Sequence, residues 1–172
     1  MMEVKMMNRT DVAKLVLEQV RERAAGELAE SVAAVVAARQ EFLNHMVEMA
    51  RVAHEGLLRE AERVLPGIVG TCRHRDPQDG GSVLVTFLEG DRSYQSDFVF
   101  HVQVAVDARG EELRLTWATA LAAQKAAEAR DTRASALKDD ARAELIKNAI
   151  ENSAAGAELL AVAKRCAAQV EL

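Results

Sequence analysis

Aromatic side chains are scarce: one tryptophan, one tyrosine and four phenylalanines make up 3% of the 172 residues. A large aromatic-lined pocket is therefore not expected. Nor is a base-stacking platform, which interleaves such rings with arginine or lysine. Two prolines and nine glycines leave little punctuation and exclude collagen-like and low-complexity chains. The two cysteines, Cys72 and Cys166, lie far apart with no CxxC spacing. A disulfide scaffold and a thiolate zinc site are both excluded, and one long-range bridge is the only disulfide that the count allows. No apolar run approaches the roughly 20 residues that cross a bilayer. The first ten residues also lack the apolar stretch of a signal peptide. These absences lead to the expectation of a cytoplasmic protein with reduced thiols.

Excess positive charge is missing as well. The net charge is −5 and the pI is about 5.5, so the chain as a whole lacks the electrostatic footprint of a nucleic-acid binder. The clearest basic cluster, Arg73-His74-Arg75, is followed at once by Asp76 and then by Asp79.

Apolar residues at 49% and charged residues at 28% give an ordinary globular balance rather than a disordered one. Alanine, roughly a fifth of the chain, lets helices approach closely. Residues 1–9 read as a flexible lead, and 10–172 as a single α+β domain. The segment of about 10–65 shows apolar steps of three and four, which is helical periodicity. Asn8 or Thr10 can cap it, and Asp11 favours the positive end of its dipole. Leu43, Met46, Ala50, Ala53, Leu57 and Val64 fit a heptad seam. Gly26 is a point where this helix can bend, and Pro66-Gly67 stops it.

The segment of about 68–117 changes period. Ile68–His74 and Ser82–Leu88 are β-compatible, separated by the turn Asp76-Pro77-Gln78-Asp79-Gly80-Gly81. After a turn at Gly90–Ser93, Phe98, Phe100, Val102, Val104 and Val106 alternate strictly with Val99, His101, Gln103 and Ala105. Asp107–Gly110 reads as a hairpin connection, followed by a strand carrying Leu113, Leu115 and Trp117. Short connections predict an antiparallel meander of three or four strands. The segment of about 119–170 returns to helical steps and reads as one helix, with Asp131-Thr132-Arg133 as a point where it can kink or break. The two long helices are expected to form an antiparallel pair.

No catalytic or phosphate-binding fingerprint is present. Glu41, His45 and Glu48 share a helix face, but bundle dimetal sites need further histidines on a second helix, so a solvated face is the better reading. Cys72 and His74 alternate onto one strand face and are weak metal candidates; two ligands do not make a site. His101 lies opposite the apolar face of its strand, as a surface histidine would. If the chain were an enzyme, Cys72, His74 and His101 would be the actors, but the absence of a converging motif favours no enzymatic role and no cofactor.

The expected function is that of a non-enzymatic interaction protein that self-associates through its long helices, as an adaptor, a chaperone-like protein or an assembly component. Leu43, Met46, Ala50, Leu57, Leu145 and Leu160 are the expected interaction surface. A protein client or partner is expected beside the homo-oligomer, with no membrane contact. In outline alone, and on no residue motif, the helix–hairpin–helix layout is similar to that of prefoldin and to small bacterial nucleoid-associated dimers. Nucleic-acid association through Arg21, Arg23, Arg73, Arg75, Arg130 and Arg133 is one alternative. An acidic inhibitor of a basic partner is another.

Overall fold

A computed structural model describes residues 9–65, 67–78, 81–89, 98–137, 161, 165 and 167–170. The described elements are α1 (Arg9–Ala53), α2 (Glu55–Val64), β1 (Ile68–Cys72), β2 (Ser82–Glu89), β3 (Phe98–Ala105) and α3 (Ala108–Ala136). The fold is α+β: a long N-terminal helix, a three-stranded antiparallel sheet in the order β1-β2-β3, and a long C-terminal helix packed against α1. Backbone contacts divide the chain into two compact units, Ala33–Ala122 and a second made of Met1–Val32 with Ala123–Leu172.

The first unit holds the sheet. Phe42, Met46 and Ala50 of α1 follow one another at steps of four and are fully buried, which turns one stripe of the helix inward. Val83, Val85 and Phe87 of β2, Val102 and Val104 of β3, and Leu113 and Trp117 of α3 complete that core. β1 approaches α1 where a glycine permits it. A Cβ on Gly70 would lie 2.7 Å from Cγ1 of Val47 and 2.9 Å from Cε1 of Phe87. In the second unit, Val20 and Ala24 pack with Ala134 and Ala167. There the guanidinium of Arg21 donates to the Leu137 carbonyl, and Arg130 pairs with Glu27 at 3.1 Å. These contacts set the two helices of that unit antiparallel.

One boundary changes, and two points that the sequence leaves open are settled. α1 runs unbroken through Gly26, where a helical backbone meets no neighbour, and the discontinuity falls instead at His54. Its φ of −123° and ψ of 26° depart from helical values and separate α1 from the ten-residue α2. α3 also continues through Asp131-Thr132-Arg133.

The largest correction concerns residues 107–117. They do not form a hairpin and fourth strand; they begin α3. Asp107 is the reason. Its carboxylate accepts from the Gly110 N–H at 2.7 Å and its carbonyl from Glu111 at 2.9 Å, which is N-cap geometry. The apparent alternation of Leu113, Leu115 and Trp117 conceals a step of four. Leu113 and Trp117 are buried, whereas Leu115 is exposed. The turns expected at Asp79-Gly80 and Gly90–Ser93 lie outside the described residues. So do Pro66, Cys166 and the helical reading of 138–160.

Hydrogen-bond parity fixes what each sheet edge presents. Gly81 stands opposite Val106, one step beyond the Ser82–Ala105 pair, and its carbonyl accepts from the Val106 N–H at 3.2 Å. Bonded and non-bonded pairs alternate along an antiparallel ladder. Val83–Val104 and Val85–Val102 therefore bond across the pair, while Thr86 and Leu88 serve Thr71 and Val69 of β1. Ile68, Gly70 and Cys72 are left with their backbone groups on the outer edge of β1. The arginines of α1 meet that edge: Arg51 donates to the Ile68 carbonyl at 3.4 Å, and Arg39 to the His74 carbonyl at 3.1 Å. The spacings agree. Arg39 and Arg51 are about 18 Å apart along a helix, and Ile68 and His74 about 20 Å apart along an extended chain.

Candidate functional site

His74 is 8% exposed. Its ring packs against both Phe42, with centroids 5.6 Å apart, and Trp117, at 6.0 Å in an edge-on arrangement. Phe42 and Trp117 are themselves 6.0 Å apart, and the Arg39 guanidinium covers the Trp117 ring at 5.9 Å. The same arginine that binds the His74 carbonyl thus also makes a cation–π contact. Arg51 repeats the device, reaching the Ile68 carbonyl while covering Phe87 at 5.8 Å. Nε2 of His74 and Nε1 of Trp117 are buried without a hydrogen-bond partner among the described residues. The nest is therefore an aromatic packing site with two uncompensated nitrogens, a combination that carries a desolvation cost.

Cys72 is half-buried and a free thiol. Burial pushes its pKa up to about 11 against the opposing influence of Arg39. The group stays a thiol at neutral pH, whereas nucleophilic attack and metal ligation require the thiolate. Among the described residues, no group of three or more His, Cys, Asp or Glu could hold a metal ion. His101 is exposed, as its parity predicts, and its Nδ1 lies 2.9 Å from Thr86 Oγ1.

Sequence reasoning placed His45 on a face with Glu41 and Glu48 and missed its partner. His45 Nε2 lies 2.8 Å from Oδ1 of Asp107. That hydrogen bond, and then the one from the Gly110 N–H, hold the Asp107 carboxyl below its ordinary pKa of 3.8. Beside this pair, Arg109 joins Glu41 at 3.4 Å and Glu112 at 2.9 Å. The group ties the start of α3 to α1. The signal available in the sequence was Asp107 itself, an N-cap residue ahead of a helix-forming stretch, and the preceding strict alternation obscured it.

The expected interaction surface separates into three groups. Met46 and Ala50 are fully buried in the core, and Leu43 packs against it, so all three serve the chain's own interior. Leu57, on α2, is 53% exposed. Leu145 and Leu160 lie outside the described residues. The structure adds Val64, 78% exposed and seven residues after Leu57, hence on the same side of α2. Leu58, the next residue and about 100° further round the helix, is buried.

β3 offers a different kind of surface. By the same parity, His101, Gln103 and Ala105 direct their N–H and C=O groups away from β2. The eight residues of β3, Phe-Val-Phe-His-Val-Gln-Val-Ala, include no proline, acid, lysine or arginine. Among the described residues no strand lies on that side of the sheet.

The chain matches no protein-family model, no curated protein and no solved structure.

Proposed function

We propose that this chain is a non-enzymatic protein–protein interaction protein that self-associates, serving as an adaptor or an assembly component with a protein client or partner. The observation that carries this reading is the exposed aliphatic pair Leu57 and Val64 on α2. Both stand beside charged residues already engaged with each other: Glu55 pairs with Arg59, and Glu60 with Arg63 at 3.1 Å. With those charges paired along the helix, the apolar side of α2 is left for a partner. An uncharged edge strand adds a second surface of the kind through which proteins associate. The raised pKa of Cys72 weighs against the thiol-based enzymatic alternative. Cys72 as a free thiol, and no described helix long and apolar enough to cross a membrane, are compatible with the cytoplasmic setting proposed here.

Light scattering coupled to size exclusion tests the reading. The full chain should elute at a multiple of 18.7 kDa. The double substitution Leu57→Glu with Val64→Glu should shift the mass downward while leaving the helical circular dichroism intact. A wild-type chain that stays at monomer mass at the highest soluble concentration would overturn it.

A further inference from the structure

α2 sits between two points where the backbone leaves regular structure. His54 has φ −123° and ψ 26°, and Gly67 has φ +90°, in the left-handed region that favours glycine. Residues of this kind at the ends of an element absorb the dihedral changes of a hinge. The base of the excursion is closed without α2: Arg51, which precedes it, donates to the carbonyl of Ile68, which follows it, at 3.4 Å. At ten residues, α2 is shorter than the roughly 12–15 at which an isolated helix becomes marginal in water, so its docking must hold it. We infer that α2 is a hinged lid, which opens as a unit about His54 and Gly67 while the clasp of Arg51 on Ile68 stays closed.

That docking is thin. Leu58 is the buried side chain of α2, and Ala61, with Leu65 just past the helix, packs partly against the same core. Among the described residues, no hydrogen bond or ion pair joins an α2 side chain to another element. Glu55 pairs with Arg59 and Glu60 with Arg63, all within the helix. The apolar stripe is also only half used. At 100° per residue, Val64, Leu57, Ala61, Leu65 and Leu58 follow one another in an arc of about 120°. The Leu58 end is buried, whereas Leu57 and Val64 at the other end are exposed. A surface helix ordinarily sets a stripe of this width against its core. α2 is docked by one end of its stripe, and opening withdraws one fully buried side chain. Segments with so few buried contacts open locally at a free energy well below that of global unfolding. The opened lid turns the whole stripe outward. Opening needs no partner, so it is tested separately from self-association.

Native-state hydrogen exchange of the full chain, read residue by residue by NMR, tests the lid. After correction for intrinsic rates, the amides of residues 58–65 should exchange together, at least about a hundred-fold faster than those of residues 42–50 in α1. Their exchange should also respond less to urea, because opening α2 exposes little surface. Val83→Ala supplies a second arm. Val83 is buried on β2 opposite Val104, at the end of the strand away from the Ile68–Glu89 pair. The substitution should speed exchange at residues 42–50 at least about ten-fold. Exchange at residues 58–65 should stay within about two-fold of wild type, since the surroundings of Val83 are intact in the opened state. Should the variant not fold, the urea dependence of the wild type decides. Amides of α2 as slow and as urea-sensitive as those of α1, or accelerated equally by Val83→Ala, would overturn the lid, because α2 would then open only with the whole chain. Protection that declines residue by residue from one end of α2 would overturn it too, as fraying rather than opening of a unit.

Discussion

At the scale of single residues, the packing yields clear expectations. Val102 points into the core from β3. Val102→Asp would place an unpaired carboxylate there and should destabilise the fold by more than about 3 kcal/mol, read by denaturant titration. A loss under about 0.5 kcal/mol would mean that the inward face has been assigned backwards. Gly70 is required by space rather than by dihedral angle, since a Cβ would collide with Val47 and Phe87; Gly70→Ala should cost about 1–3 kcal/mol. Gly26 is the opposite case, exposed in mid-helix with nothing within 4 Å of a Cβ. Gly26→Ala should stabilise the chain by about 0.5–1 kcal/mol. Asp107 supplies the pH dependence. Its folded pKa lies below the ordinary 3.8, first because of His45 and then because of the Gly110 N–H. The stability it contributes is complete above that ordinary value and is lost as pH falls through the lowered one. Asp107→Asn retains a capping side chain but should flatten the fall in melting temperature below about pH 4. An unchanged acid profile would remove Asp107 from the account.

At the scale of elements, much was readable in the sequence because period is a strong signal. The alternation in 98–106 specified β3 and its inward valines, and the three- and four-residue steps specified α1. Two features were less readable, for physical reasons. Residues 111–117 satisfy both periods over a short stretch, and the outcome turned on the Asp107 cap, a bond of one side chain to a backbone three residues on. The break at His54 leaves no proline or glycine mark at its own position; there helical hydrogen bonds continue from Ala50 through Leu58 while one residue leaves helical dihedrals. The pairing of Arg39 and Arg51 with the β1 edge was also hidden, since it depends on strand parity and on a helix lying alongside. Each guanidinium binds a carbonyl and covers an aromatic ring. Lysine cannot reproduce that planar fork, so Arg51→Lys should destabilise by about 1 kcal/mol. A neutral effect in thermal unfolding would show that the edge is held without it.

At the scale of the molecule, a packed interior is joined to apolar positions that stay exposed among the described residues. The seam expected for association proved to be two things. Met46 and Ala50 belong to the interior, because the sheet and α3 cover the stripe that a helix-only reading leaves open. Leu57 remained exposed, with Val64 two turns on along the same side of α2. A heptad pattern reports that a helix face is covered, whether by the same chain or by another. The most direct test of the central claim is the solution mass of the full, unmodified chain by sedimentation equilibrium across a range of concentrations. The account predicts a species of at least twice 18.7 kDa, dissociating on dilution according to mass action. A single species at 18.7 kDa throughout would contradict it.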